Sequence, residues 1–196
     1  MMPVAVNPLP SLLSAVPKSW SPDGQFLVYA EISEGTGADL MAIRVTGDRK
    51  PFPVVQTNAT EDQGQFSPDG HWLAYTSNES GHAEVYVIPF PPTPGAKWLV
   101  SRGGGVQPRW RRNGKELFYV SSGSKMMAVD VNTRPVFQSG NPHPLFDSNI
   151  VDTGIRTGPI SWDLSPDGNR FLIISPNTPE TSSLTVTLNW HPESAK

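Results

Sequence analysis

The chain has 196 residues, enough for one domain with a substantial core and too few for two large ones. Its 17 Gly and 21 Pro disfavour long helices and suit short strands joined by tight turns, while 37% hydrophobic residues exclude a disordered tail. With 15 basic and 18 acidic side chains the formal net charge is -3, which excludes bulk attraction to nucleic acid or an anionic membrane; the absence of Cys excludes disulfides, thiolate catalysis and the usual zinc frameworks without choosing a compartment.

Residues 1–15 are rich in Pro and Ser and read as a poorly ordered segment, with no basic region and no apolar run long enough for a secretion signal or a membrane span. The first repeat unit occupies about 16–57: a weak inner strand before Trp20, the turn Ser21-Pro22-Asp23-Gly24, an apolar strand from Phe26, a third strand at 39–43 and an outer strand at 52–55. The second, about 62–101, repeats the order with Phe66, the turn Ser67-Pro68-Asp69-Gly70, a strand from Trp72, a third strand at 84–88 and an outer one at 97–100. The third, about 106–148, has Trp110, then Arg111-Arg112-Asn113-Gly114, with later strands at 116–119, 126–131 and 144–146. The fourth, about 157–190, has an inner strand at 158–164, the turn Ser165-Pro166-Asp167-Gly168, further strands at 170–174 and 183–190, and no outer strand; the polar tail 191–196 frays.

One turn chemistry links the four units. Pro22, Pro68 and Pro166 pre-set φ, Asp23, Asp69 and Asp167 bond to nearby backbone, and the following Gly24, Gly70 and Gly168 take positive φ. The third unit loses the Pro but keeps Asn113-Gly114, a pair able to make the same reversal. The four glycines recur at intervals of 46, 44 and 54 residues, the period of one four-stranded propeller blade. The expected fold is all-β: four four-stranded antiparallel β-propeller blades, the last incomplete, forming an open arc or a fragment of a larger propeller. Trp20, Phe66, Trp72, Trp110, Trp162 and Trp190 are expected to pack between adjacent blades.

The aromatic-Ser-Pro-Asp-Gly units, followed by an apolar triplet ending in Tyr, resemble the WD40-like (PD40) repeat of TolB-type propellers. Segments 66–81, 84–91, 108–110, 116–119, 127–130 and 187–190 are similar to the C-terminal propeller attached to many bacterial serine/threonine protein kinases. The resemblance covers roughly residues 16 to 190 and implies a propeller of six or more blades serving as a sensor, ligand-binding or protein-interaction domain.

Catalytic sets are missing. The chain has no Gly-rich kinase loop, no His-Arg-Asp or Asp-Phe-Gly motif and no Gly-x-Ser-x-Gly elbow. Gly103-Gly104-Gly105 precedes no helix and reads as a flexible blade connection, not a phosphate cradle. His71, His82, His143 and His191 lack mutual ligand spacing, and the turn aspartates lie too far apart for a calcium loop, so neither a metal nor a cofactor is expected. Two polar features stand out. Arg109, Arg111 and Arg112 flank Trp110 where an inner strand meets its turn, and suit either an anionic partner or a solvated, salt-bridged face. Asn78, Glu79 and His82 sit in a projecting loop suited to contacts, as polar hairpin tips commonly are.

These features point to a non-catalytic binding or scaffold module, a sensor or protein-interaction part of a bacterial signalling protein. The alternatives are the propeller portion of a hydrolase or peptidase whose catalytic groups lie elsewhere, and a structural assembly module. The expected partner is a protein or small ligand, with further blades or a second copy completing the propeller, no nucleic acid, and no membrane contact from this segment. The compartment follows the context: cytoplasmic if the chain is complete, extracytoplasmic if it is the C-terminal part of a membrane-anchored kinase.

Overall fold

The computed structural model describes residues 15–33, 37–150, 155, 160–174 and 184–187, with 33 and 184–187 as backbone only. Residues 1–14, the tail 191–196 and Trp190 lie outside the described residues.

Four antiparallel sheets follow one another along the chain. Blade 1 is β1 (Ala15–Trp20), β2 (Phe26–Ser33), β3 (Gly37–Arg44) and β4 (Pro51–Val55), in that spatial order. Blade 2 is β5 (Glu61–Phe66), β6 (Trp72–Ser77), β7 (Glu84–Pro89) and β8 (Trp98–Leu99). Blade 3 is β9 (Val106–Trp110), β10 (Glu116–Val120) and β11 (Lys125–Asn132), edged by both β12 (Gln138–Ser139) and β13 (His143–Asp147). Blade 4 is β14 (Trp162–Leu164), β15 (Phe171–Ile174) and β16 (Leu184–Thr187).

Two strand expectations need correction. The weak inner strand of the first unit is a full partner of β2, paired from Ala15↔Glu31 to Trp20↔Leu27. The third sheet has five strands where four were expected: β11 is long enough for its end to pair with β12 and its start with β13. Gly140 still donates its N–H to Asp130 of β11 at 2.8 Å, and Pro142 breaks the edge between the two strands, since proline has no N–H for the ladder.

The repeated turn has one geometry throughout. Each turn glycine has a left-handed backbone, with φ of 70° at Gly24, 74° at Gly70, 71° at Gly114 and 73° at Gly168, and donates its N–H to the carbonyl three residues earlier at 2.8–2.9 Å. In blades 1, 2 and 4 the turn serine is the hub. Its hydroxyl donates to the turn aspartate and accepts the N–H that opens the next strand: Phe26 at 2.8 Å, Trp72 at 3.0 Å and Arg170 at 3.0 Å. These hydroxyls hold the carboxyl groups of Asp23 and Asp167 below the usual carboxylate range. In blade 3 Arg111 takes the place of the serine, and only Asn113 survives as a capping side chain, accepting from Lys115 N–H at 2.9 Å.

Side chains alternate across a strand, so a sheet between two others sends successive residues into two cores. Leu73 and Tyr75 of β6 join the core shared with blade 1, whereas Trp72 and Ala74 join the core shared with blade 3. In β10, Leu117 and Tyr119 face blade 2 while Phe118 and Val120 face blade 4. Three such cores link the four blades in sequence, and among the described residues none joins blade 4 to blade 1. The described blades therefore form an open arc.

A second fastening runs along the inner strands. Gln63 and Gln107 lie at equivalent bulges, seven residues before their turn glycines, with φ of 61° and 58°. Gln63 Oε1 accepts the N–H of Gln107 at 2.7 Å, and Gln107 Oε1 accepts the N–H of Ser161, the next equivalent residue, at 2.9 Å. Each blade thus holds the following one through the same position. Blade 1 carries Pro17 there, so the Gln63 N–H turns to its own neighbour Asp62 at 2.5 Å, and a buried ion pair between Lys18 and Asp62 at 2.8 Å makes the link.

Candidate functional site

At the turn end of the inner strands the four blades converge on a cleft of ≈ 470 Å³. Residues five before each turn glycine are Ser19, Gln65, Arg109 and Asp163, and the last three line this cleft with Trp20, Arg112 and the turn prolines Pro22, Pro68 and Pro166. The inner strands place them: each ends one residue beyond this position, and the hairpin then carries the chain away from the axis.

Arg109 is largely buried, with its side chain 20% exposed, and its Nε lies 3.7 Å from Asp163 Oδ1, too long for a hydrogen bond. That Nε has no hydrogen-bond partner. Burial pulls the pKa of Arg109 down and Asp163 pushes it back, but a guanidinium starts so high that it stays charged. Arg112 is exposed, and among the described residues nothing pairs with it. Trp20 departs from its expected role between blades: it is 57% exposed, while its equivalents Phe66 and Trp110 are buried. Those two pack toward the preceding blade, Phe66 in the core with blade 1 and Trp110 in the core with blade 2. Trp20 belongs to the first described blade, with no described sheet before it, and its ring is left at the cleft.

The other sequence candidates divide. Arg111 does not join Arg109, because β9 ends at Trp110 and the alternation ends with it. It pairs with Glu116, donates to Asn169 Oδ1 at 2.8 Å and packs against Gly168, fastening blade 3 to blade 4. Asn78, Glu79 and His82 lie at the opposite end of the strands from the cleft, in the β6–β7 loop, and each has an internal partner. Asn78 Oδ1 accepts from Thr60 N–H at 2.8 Å, and Glu79 pairs with Lys97, whose Nζ sits 5.2 Å above the Tyr86 ring. His82 Nε2 lies 2.8 Å from Glu84 Oε1.

The glycine connection was expected to be flexible, and it is fastened. Gly103 and Gly104 both donate to Glu84 Oε1 at 3.0 Å, and the Ser101 hydroxyl donates to the other oxygen. The triple glycine does cradle an anion, but the anion is a buried carboxylate of the same chain. A Cβ at Gly105 would stand 2.6 Å from that of Ser101, so the close approach itself demands glycine.

A larger cleft, ≈ 530 Å³, lies between the outer strands of blades 1 and 2 with walls that include Pro53, Val55, Ile88 and Pro94. Its charged residue, Lys97, is already paired, so the chemistry concentrates at the axial cleft. Among the described residues no three His, Cys, Asp or Glu side chains are grouped to hold a metal, and no helix is long and apolar enough to cross a membrane. Sequence reasoning missed Trp20, Gln65 and Asp163 as cleft residues; aligning the four units on their turn glycines places the last two beside Arg109.

No family model matches the chain. An uncharacterized protein of Agrobacterium fabrum is 24% identical over 165 residues, covering 79% of this chain and 53% of that protein. The crystal structure of TolB from Acinetobacter baumannii superposes with a TM-score of 0.67 at 19% identity, over 91% of this chain and 41% of that one. The fold is a TolB-like β-propeller. The Swd1 β-propeller domain of Myceliophteria thermophila agrees, with a TM-score of 0.54 at 13% identity over 89% of this chain and 58% of that one. The TolB-like chain spans about half the length of the curated relative it matches, 53%, and less of TolB, 41%.

Proposed function

We propose that this TolB-like propeller is a non-catalytic binding module, the sensor or protein-interaction part of a bacterial signalling protein, and that it meets its partner at the axial cleft. One observation carries the reading. Three hairpins share the Ser-Pro-Asp-Gly turn, and the one that abandons it puts Arg112 in the cleft, where the strand just before it already sets Arg109 and where Trp20 is exposed. Where a repeat breaks its own rule, the local requirement is commonly functional. The likeness of segments 66–81 and 84–91 to kinase-attached propellers supports the signalling context, which would set the module outside the membrane of an anchored kinase.

The test is the reading frame upstream of Met1. A kinase domain followed by a membrane span is the expected result, and a hydrolase or peptidase domain there would overturn the reading in favour of a propeller that serves an enzyme.

A further inference from the structure

We propose that the axial cleft holds a subsite for one singly charged carboxylate, gripped by Arg109 and Arg112. The inference rests on the reading of the cleft as a binding surface and adds the chemistry of what enters it.

Arg109 supplies the first argument. A guanidinium taken largely out of water is costly unless hydrogen-bonded acceptors replace the lost hydration. Asp163 is near enough to attract it but, at 3.7 Å, does not satisfy it, and the buried Nε has no acceptor. The 20% of the side chain that remains exposed belongs to a residue lining the cleft, so any contact the guanidinium makes there is made by that exposed part and not by the buried Nε. Arg112 adds a second cation to the same lining.

Charge selects the ligand. Two guanidinium groups against the single carboxylate of Asp163 leave one net positive charge among the lining side chains, which complements a monoanion better than a doubly charged phosphate. A carboxylate is planar and takes two parallel N–H donors from an arginine fork. The remaining lining is uncharged, and Trp20, Pro22, Pro68 and Pro166 offer apolar surface to whatever carries the carboxylate. That surface favours a glutamate or aspartate side chain of a polypeptide over a small free acid.

Two-dimensional NMR of the whole chain, following the arginine Nε–H and tryptophan indole N–H signals, tests this with four probes: the blocked tripeptide acetyl-Ala-Glu-Ala-amide, its Gln counterpart, propionate and inorganic phosphate. The Glu peptide is expected to shift the Arg109 and Trp20 signals, with the Gln peptide at least tenfold weaker. Arg109→Gln and Arg112→Gln should each weaken the Glu peptide several-fold, and the exposed Arg112 keeps the test valid if the Arg109 variant folds poorly. Asp163→Asn should strengthen phosphate relative to the peptide. Propionate binding as well as the peptide would support the subsite and assign it to small free acids. Phosphate binding as tightly as the Glu peptide, or equal shifts from the Glu and Gln peptides, would overturn the carboxylate while leaving the cleft a binding surface. Absence of any shift at Arg109 and Trp20 with all four probes would overturn both.

Discussion

Blades 2 and 4 are built from the same turn and the same strand order, yet they inhabit different environments. Every residue of β6 is buried, because blade 2 has a sheet on either side. In β15 buried and exposed residues alternate: Phe171 and Ile173 enter the core with blade 3, while Leu172 and Ile174 are 40% and 61% exposed. The repeat fixes which residues point which way. Neighbours fix what that direction is worth.

Paired substitutions measure the contrast. The largest effect is expected from Leu73→Ala in β6, where a fully buried side chain leaves a cavity between blades 1 and 2 at a cost of about 3 kcal/mol. Leu172→Ala in β15, on the face turned away from blade 3, should cost less than about 0.5 kcal/mol in urea unfolding, and a loss equal to that of Leu73→Ala would show that the far face of blade 4 is covered in solution.

Next come the inter-blade glutamines. Gln63→Ala strands two donors, the Gln107 N–H and the Thr76 hydroxyl at 2.8 Å, and should cost about 2 kcal/mol. Gln107→Ala strands the Ser161 N–H and should cost about 1 kcal/mol, visible as faster amide exchange at Ser161 with little change in blade 2. Exchange protection that falls evenly over all blades would show that the glutamines do not act as separate links.

The smallest effect concerns pH. Burial raises the carboxyl pKa of Glu61 above its ordinary 4.5, against the opposing hydrogen bonds from Thr57 and Ser77, whereas the acids of blade 4, Asp163 and Asp167, are exposed. A raised acid binds more protons folded than unfolded, so its contribution to stability is greatest below 4.5 and declines as pH rises toward the folded value. Glu61→Gln keeps an oxygen to accept from Thr57 and Ser77 and removes the charge. The expected outcome is a smaller loss of melting temperature between acid and neutral pH than in the unsubstituted chain; a larger loss would reverse the sign assigned to Glu61.

Much of the fold could be read in advance because the turn is local. Ser-Pro-Asp-Gly contains its own donors, acceptors and positive-φ residue within four positions, so Gly24, Gly70, Gly114 and Gly168 marked the hairpins without help from distant residues. The site was less legible because its parts meet only through blade packing. Charge singles out Arg109 and Arg112, which line the cleft, but it equally singles out Arg111, which is spent on Glu116 and Asn169. Trp20 resembles Phe66 and Trp110 in sequence and differs from them only in what precedes its blade. Gln63 and Gln107 escaped notice although a shared offset from the turn glycine marks both, because non-glycine residues with left-handed backbone have no compositional signature.

Pro17 gives this row of links a direction. Each glutamine needs an amide hydrogen from the sheet that follows, and a proline has none to offer. A sheet set against the free side of β1 would therefore leave any such glutamine of its own unanswered, and growth of the ring on that flank calls for another clasp. Lys18 and Asp62 already display one kind: opposite charges locked together away from water, indifferent to the missing hydrogen.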